Sequence, residues 1–335
     1  MKIRVTYPDS FTTKRADGQS RVYDCFAFFN ELDLLDIRLN ELADVVDYFV
    51  ICEARLNFRG HEKSLFLAEN RERYAAFKDR IIHVVVENFD DPSAYRSRKL
   101  PGTNPAWIRE TAQRNACICG LEHSDSSDWV LISDLDEVPR PEILRRIATD
   151  RMFRRGVFFF EQDFYQNRLN WLVKEDPWMH GTRMIERRFV TSLQEVRMLK
   201  TSASPRSILP WLDWRARTIY DLRAIVFPQR IPHAGWHFTS IGAPAEIVTK
   251  HWSYSHYDQQ SPDEMNIDRI TERIDAGLNQ WGIQPDVRPL SDLPRYVQLN
   301  QGRFSHLIAS PCDGTRQIDD GPSTDTVDTD RTLAT

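Results

Sequence analysis

Asp128–Arg140 reads DWVLISDLDEVPR. Trp129 to Ile132 is a short apolar run, and it stops abruptly at Ser133-Asp134-Leu135-Asp136-Glu137, with Pro139 behind it. Apolar runs of that length bounded by breakers form buried strands. Carboxylates at the end of a buried strand are costly to desolvate unless a cation or a ligand neutralises them. In open α/β sheets that end of the strand is also where ligands bind. Asp134 and Asp136 stand at i and i+2, so an extended chain sends both from one face. Two hard oxygen donors side by side suit Mn²⁺ or Mg²⁺, which complete their shells with water and substrate phosphates. The segment therefore sets up an expectation of a metal-assisted site for a phosphorylated substrate. An Asp-x-Asp is common by chance, so the remaining chain has to support it.

Upstream, Val22–Phe29 (VYDCFAFF), Tyr48–Cys52 (YFVIC) and Ile81–Val86 (IIHVVV) are dense in β-branched and aromatic residues and read as buried strands. Leu32–Leu42 carries apolar residues near helical spacing, and Glu69–Phe77 and Trp107–Leu121 also read as helices. Downstream, Pro141–Ile147 is expected to be a helix, and Val157–Phe160 (VFFF) a strand ending before Glu161-Gln162-Asp163. Strands alternating with helices at this spacing make an α/β fold: a Rossmann-like, mostly parallel central sheet with helices on both faces. Residues 1–20 are expected to be a weakly ordered lead-in. Residues 21–150 and 151–309 form the two halves of one domain, and 310–335 an acidic tail too poor in apolar residues to fold. Trp171, Trp178, Trp211, Trp214, Trp236, Trp252 and Trp281 all fall in the second half, where such rings can stack on sugar faces.

Of the 335 residues 41% are hydrophobic and 28% charged, enough for a substantial core. The formal net charge of −5 argues against a nucleic-acid partner. No run approaches the roughly 20 apolar residues of a membrane span, and the N-terminus lacks the apolar core of a secretory signal. With an odd count of five cysteines, the expectation is a cytoplasmic protein with free thiols and no integral membrane segment. Cys117 and Cys119 read as packing residues.

Three further groups carry chemistry. His237 sits beside Trp236 in an expected loop bounded by Gly235 and Gly242, and its neutral imidazole suits a metal already held by a carboxylate. Lys250 and His256 follow as point charges for a diphosphate. In the helix before the acidic segment, Arg109 and Gln113 share a face and Arg114 can reach a phosphate. Asn30 and Glu31 close one buried strand and Glu53 another; carboxylates so placed commonly bond a ribose or base. Glu161 and Asp163, after VFFF, are candidates for a general base. No G-x-x-x-x-G-K-[ST] loop, G-x-G-x-x-G turn or G-x-S-x-G elbow is present, which weakens ATPase, dinucleotide and serine-hydrolase readings.

Taken together, FFNELDLLDIRLNELADVVDYFVICEA over 28–54, SDLDEVP over 133–139 and AGWHFTSIG over 234–242, with Lys250 downstream, resemble glycosyltransferase family 17. The resemblance runs from about Val22 to Trp281. It implies a glycosyltransferase-A-like fold, a UDP-sugar donor (UDP-N-acetylglucosamine), dependence on a divalent metal, and inversion at the anomeric carbon. By position, Asp134 and Asp136 match the family's metal and nucleotide motif. Glu31, Asp33 and Glu53 match its first two strand ends, and Gly235, Trp236 and His237 its later motif.

The resulting expectation is a metal-dependent inverting glycosyltransferase. Residues 21–150 would bind the nucleotide sugar and 151–309 the acceptor, a saccharide, glycolipid or polysaccharide. Asp134, Asp136 and His237 would hold Mn²⁺ or Mg²⁺. Asn30, Glu31, Glu53, Arg109, Arg114, Asp134 and Lys250 would contact the donor. Asp163 or Glu161 would take the acceptor proton, and Trp171 and Trp211 would wall the acceptor. The competing readings are a metal-dependent nucleotidyltransferase or phosphohydrolase, and a non-catalytic nucleotide-sugar or glycan-binding module.

Overall fold

A computed structural model describes residues 1–13, 15, 18–89, 104–149, 156–173, 177–199, 229–255 and 261–309. The expected tail over 310–335, and Trp211, Trp214 and His256, lie outside the described residues.

The strands are β1 (Lys2–Thr6), β2 (Val22–Ala27), β3 (Tyr48–Ala54), β4 (Ile81–Asn88), β5 (Trp129–Ile132), β6 (Glu137–Pro139), β7 (Phe158–Gln166), β8 (Trp171–Leu172), β9 (Arg183–Glu186), β10 (Gln229–Thr239) and β11 (Asp286–Val287). They form one eleven-stranded sheet in the order β1-β4-β3-β2-β5-β9-β7-β10-β6, with β8 and β11 off this path beside β7. The block β4-β3-β2-β5 is parallel throughout, as is the β7–β10 pair. The pairings of β1, β6, β8, β9 and β11 are antiparallel, so the sheet is mixed and the expected parallel character holds for its central block.

The α-helices are α1 (Leu32–Glu41), α2 (Phe66–Glu69), α3 (Pro105–Ala116), α4 (Pro141–Thr149), α5 (Leu193–Arg197), α6 (Pro244–Ser253), α7 (Ile267–Asp275), α8 (Arg295–Leu299) and α9 (Gln301–Phe304). Asn104 begins α3: its side-chain oxygen accepts from the Ala106 N–H at 2.9 Å, and Pro105, which needs no donor there, follows. Helices cover both sheet faces, and strand alternation decides which residue meets which. Phe26, Phe49, Ile51 and Leu131 pack with Leu34 and Leu35 of α1 and Leu144 and Ile147 of α4. Cys25, Val50, Cys52, Val130 and Ile132 pack with Ala112 and Ala116 of α3 and Leu193 and Val196 of α5. Cys117 is buried in this second layer, a packing residue. Among the described residues, no helix is long and apolar enough to cross a membrane.

Three expectations change. Lys2–Thr6 is not a loose lead-in but an edge strand on β4; its polar-apolar alternation, half-covered, is what an edge strand shows. His237 lies within β10 rather than in a loop. Finally, β7 continues through Glu161 and Asp163 to Gln166, so these carboxylates sit in mid-strand and not beyond its end.

Candidate active site

From β2 the chain builds outward through β3 to β4, then returns to lay β5 on the other side of β2. The strand order reverses at that point, and the crevice at the carboxyl ends of the two diverging strands is where open α/β sheets take ligands. A pocket of about 700 Å³ lies there. Its wall is made by Phe28, Phe29 and Glu31 after β2, Asp134 to Asp136 after β5, Glu110, Gln113 and Arg114 of α3, and Lys250, Ser253 and Tyr254 at the end of α6.

The carboxylates of the acidic turn are already met by side-chain cations. Asp134 holds Arg114 at 2.8 Å and Arg197 at 2.5 Å. Glu137 holds Arg197 at 2.8 Å, accepts from Trp178 Nε1 at 2.7 Å, and accepts the Asp134 N–H at 3.0 Å. Lys250 Nζ sits between Asp136 at 2.8 Å and Glu31 at 3.0 Å, and Glu110 shares Arg114 at 2.8 Å. Burial alone would raise the pKa of Asp134, Glu137 and Glu31; the Arg197 and Arg114 guanidiniums and the Lys250 ammonium hold all three below their ordinary values instead. Burial works against the Lys250 charge too, and Asp136 and Glu31 overcome it, raising that pKa. Five carboxylates thus share three cations, an excess of two negative charges.

Sequence reasoning missed the residue that shapes this turn. Arg38 of α1 is fully buried and forms a two-pronged pair with Asp24 of β2, at 2.8 and 2.7 Å. It also donates to the carbonyls of Asp134 and Leu135 at 3.1 Å and of Glu137 at 2.7 Å, and to Ser133 Oγ. The signal was present: Arg38 stands four after Leu34 and three after Leu35, a charge in the apolar stripe of the helix. Arg197 carried no such signal, being one basic residue of a short helix far along the chain.

Of the expected donor contacts, the structure brings Glu31, Arg114, Asp134 and Lys250 together on the pocket wall. Asn30 is adjacent to that wall but does not line it. Glu53 is spent elsewhere: buried within β3, it accepts the Leu67 N–H at the start of α2 at 3.0 Å and pairs with His83 at 2.9 Å. Arg109 donates to the Phe58 carbonyl at 2.9 Å and so props a wall residue without lining the pocket. Of the expected bases, Glu161 is paired with Arg230 at 2.5 Å. Asp163 is held by His233 at 3.0 Å and Arg140 at 3.6 Å, on the strand face opposite its neighbour Phe164. Neither lines the pocket. Trp171, expected as an acceptor wall, is 3% exposed and belongs to the core.

His237 Nε2 lies 3.7 Å from Asp136 Oδ1, long for a hydrogen bond and a separation that two ligands of one ion, each about 2.1 Å from it, can span. Its Nδ1 is buried with no hydrogen-bond partner among the described residues. Burial pushes the imidazole pKa down, favouring the neutral form a metal takes. Among the described residues no three His, Cys, Asp or Glu side chains converge on one point. One or two protein ligands, completed by substrate phosphates, is nevertheless the usual arrangement for Mg²⁺-type sites. The pair and the excess of two negative charges fit a divalent ion.

The class of protein built around this pocket is shown by its family: it is a glycosyltransferase. The chain is a member of glycosyltransferase family 17, whose family model matches residues 10–200. Beta-1,4-mannosyl-glycoprotein 4-beta-N-acetylglucosaminyltransferase from Rattus norvegicus is 27% identical, and that from Mus musculus 22% identical, over 310 residues. Each alignment covers 87% of this chain and 55% of the relative, so the chain spans about half the length of the curated relatives it matches. Among solved structures, mannosyltransferase PcManGT from Pyrobaculum calidifontis, in complex with GDP-Man and Mn²⁺, is 11% identical with a TM-score of 0.34, covering 78% of this chain and 70% of that one.

Proposed function

We propose that this glycosyltransferase moves N-acetylglucosamine from a UDP-sugar to a saccharide hydroxyl, inverting the anomeric centre, with a divalent metal at its acidic turn. The carrying observation is the convergence of Glu31, Arg114, Asp134, Asp136 and Lys250 on one pocket at the switch point of the sheet. The names of the curated relatives support the donor sugar. Asp136 and His237, with Asp134 beside them, would hold Mn²⁺ or Mg²⁺, which when bound supplies Lewis-acid neutralisation of charge on the departing diphosphate. The chain contributes the rest. Lys250 and Arg114 face the pocket as fixed cations and share the charge of the leaving UDP without reorganisation. Glu31 holds Lys250 in place, and Arg38 fixes the backbone of the turn. Phe28, Phe29 and Phe58 give the base and ribose an apolar wall.

Thermal unfolding with a panel of nucleotide sugars, with and without Mn²⁺, tests this. A ligand at 100 times its Kd stabilises by about 2.7 kcal/mol, several degrees of Tm for a chain of this size. UDP-N-acetylglucosamine should give the largest shift, and more with Mn²⁺ than with chelator. A shift equal in both conditions assigns diphosphate neutralisation to Lys250 and Arg114 alone. Absence of any shift with UDP-sugars overturns the proposal.

A further inference from the structure

Next to the pocket lies a run of aromatic rings that the donor does not need. His237, beside Asp136, packs against Trp178 with ring centres 4.5 Å apart and against Phe164 at 5.0 Å. Phe164 in turn lies near-parallel to Trp178, both centroids 6.1 Å apart at 22°, and near-parallel to Trp281 at 6.1 Å and 17°. Phe164 and Trp178 are half-buried, whereas the Trp281 ring is 44% exposed. Its indole N–H is tied to Glu264 at 2.7 Å, and that of Trp178 to Glu137 at 2.7 Å. Both indoles are therefore anchored at their polar edges, which fixes ring orientation; Trp178 is packed among Phe164, His237 and His180, and Trp281 is the ring left open. An indole that merely filled space would be covered; one pinned by its edge and left open is a surface for something flat and apolar on one side. Pyranose rings with equatorial substituents present such a side, a sheet of axial C–H bonds, while their hydroxyls point outward.

We infer that Phe164, Trp178 and Trp281 form the acceptor subsite, a platform on which an equatorially substituted pyranose of the acceptor stacks with its hydroxyl directed past His237 toward the donor. This rests on the proposed function, since the platform gains its meaning from a donor at Asp136. It places the acceptor walls on rings different from Trp171 and Trp211, and it names the ligand class as saccharides with a flat, equatorially substituted ring.

Trp281 touches neither Asp136 nor the pocket wall, so Trp281→Ala tests the platform without touching donor chemistry. The probes are methyl β-glucoside, N,N′-diacetylchitobiose and cellobiose, each titrated against the full chain with UDP and Mn²⁺ present and followed by tryptophan emission. Binding of UDP alone is measured by calorimetry. Expected are saturable binding of at least one probe to the wild type, an affinity loss of about tenfold in Trp281→Ala, and recovery in Trp281→Phe, with UDP affinity unchanged throughout. Unaltered saccharide affinity in Trp281→Ala overturns the inference, as does a wild type that binds UDP but none of the three saccharides. Failure to bind UDP would instead strike the proposed function, and saccharide binding still reads the platform.

Discussion

Removing the Arg38 guanidinium leaves Asp24 charged and uncompensated in the middle of the sheet, and deprives three turn carbonyls of their donor. Breaking a buried pair from one side costs about 3–5 kcal/mol, so Arg38→Met should lower stability by that amount in urea denaturation. A loss below about 1 kcal/mol would show that water replaces the clamp. Glu161 and Asp163 lead to the opposite expectation. A positioned base contributes about 10²–10⁴-fold, yet each of these carboxylates is already paired with a cation and lies off the pocket wall. Glu161→Gln and Asp163→Asn should therefore keep turnover of a UDP-sugar near the wild-type rate. A hundredfold loss in either would return the role to it. At this scale the sequence made Asp134, Asp136, Glu31, Arg114 and Lys250 visible, because charges at strand ends demand a reason. It did not reveal that Arg197 and Lys250 supply much of that neutralisation from within, since the pairings join positions sixty or more residues apart.

Between elements, the close approach of β10 to β6 sets where His237 stands relative to Asp136. Gly235 faces Pro139 across this ladder. A Cβ built on Gly235 would lie 2.2 Å from the Val138 carbonyl oxygen and 2.7 Å from Pro139 Cα. Both are backbone atoms that cannot swing aside, so Gly235→Ala must push the strands apart. Lower Tm together with weaker Mn²⁺-dependent nucleotide binding is expected; a variant normal in both would show that the ladder is slack. The elements themselves were unevenly legible. Trp129–Ile132 matched its strand residue for residue because apolar run and breakers coincide. The reading ended β7 too early because charged residues look like a boundary, whereas here they face Arg230, His233 and Arg140 on neighbouring segments. Pro232, His233 and Gly235 interrupt the pattern of β10 and give its second half the look of a loop; the register to β7 does shift between Ile231 and Gly235 before resuming.

Across the molecule, the carboxylates of the site tie stability to pH. Burial alone would raise the pKa of Glu31 and Glu137, but Lys250 and Arg197 bring both below their ordinary value of 4.5. A depressed carboxylate contributes stability that is present above its unfolded value and lost as pH falls through the folded one. Melting temperature should be flat from neutrality to about pH 5 and drop steeply below it, with Glu31→Gln and Glu137→Gln each reducing the steepness. A transition that moves toward neutral pH instead would assign acid lability to other groups. The same continuous sheet has a mechanical consequence. Because β10 is hydrogen-bonded to β6 on one side and to β7 on the other, His237 and its cross-strand partner Phe164 ride on a single ladder. Swinging one lobe against another, as jaws close, would break that ladder. The spacing of these two rings is therefore built in before any ligand arrives.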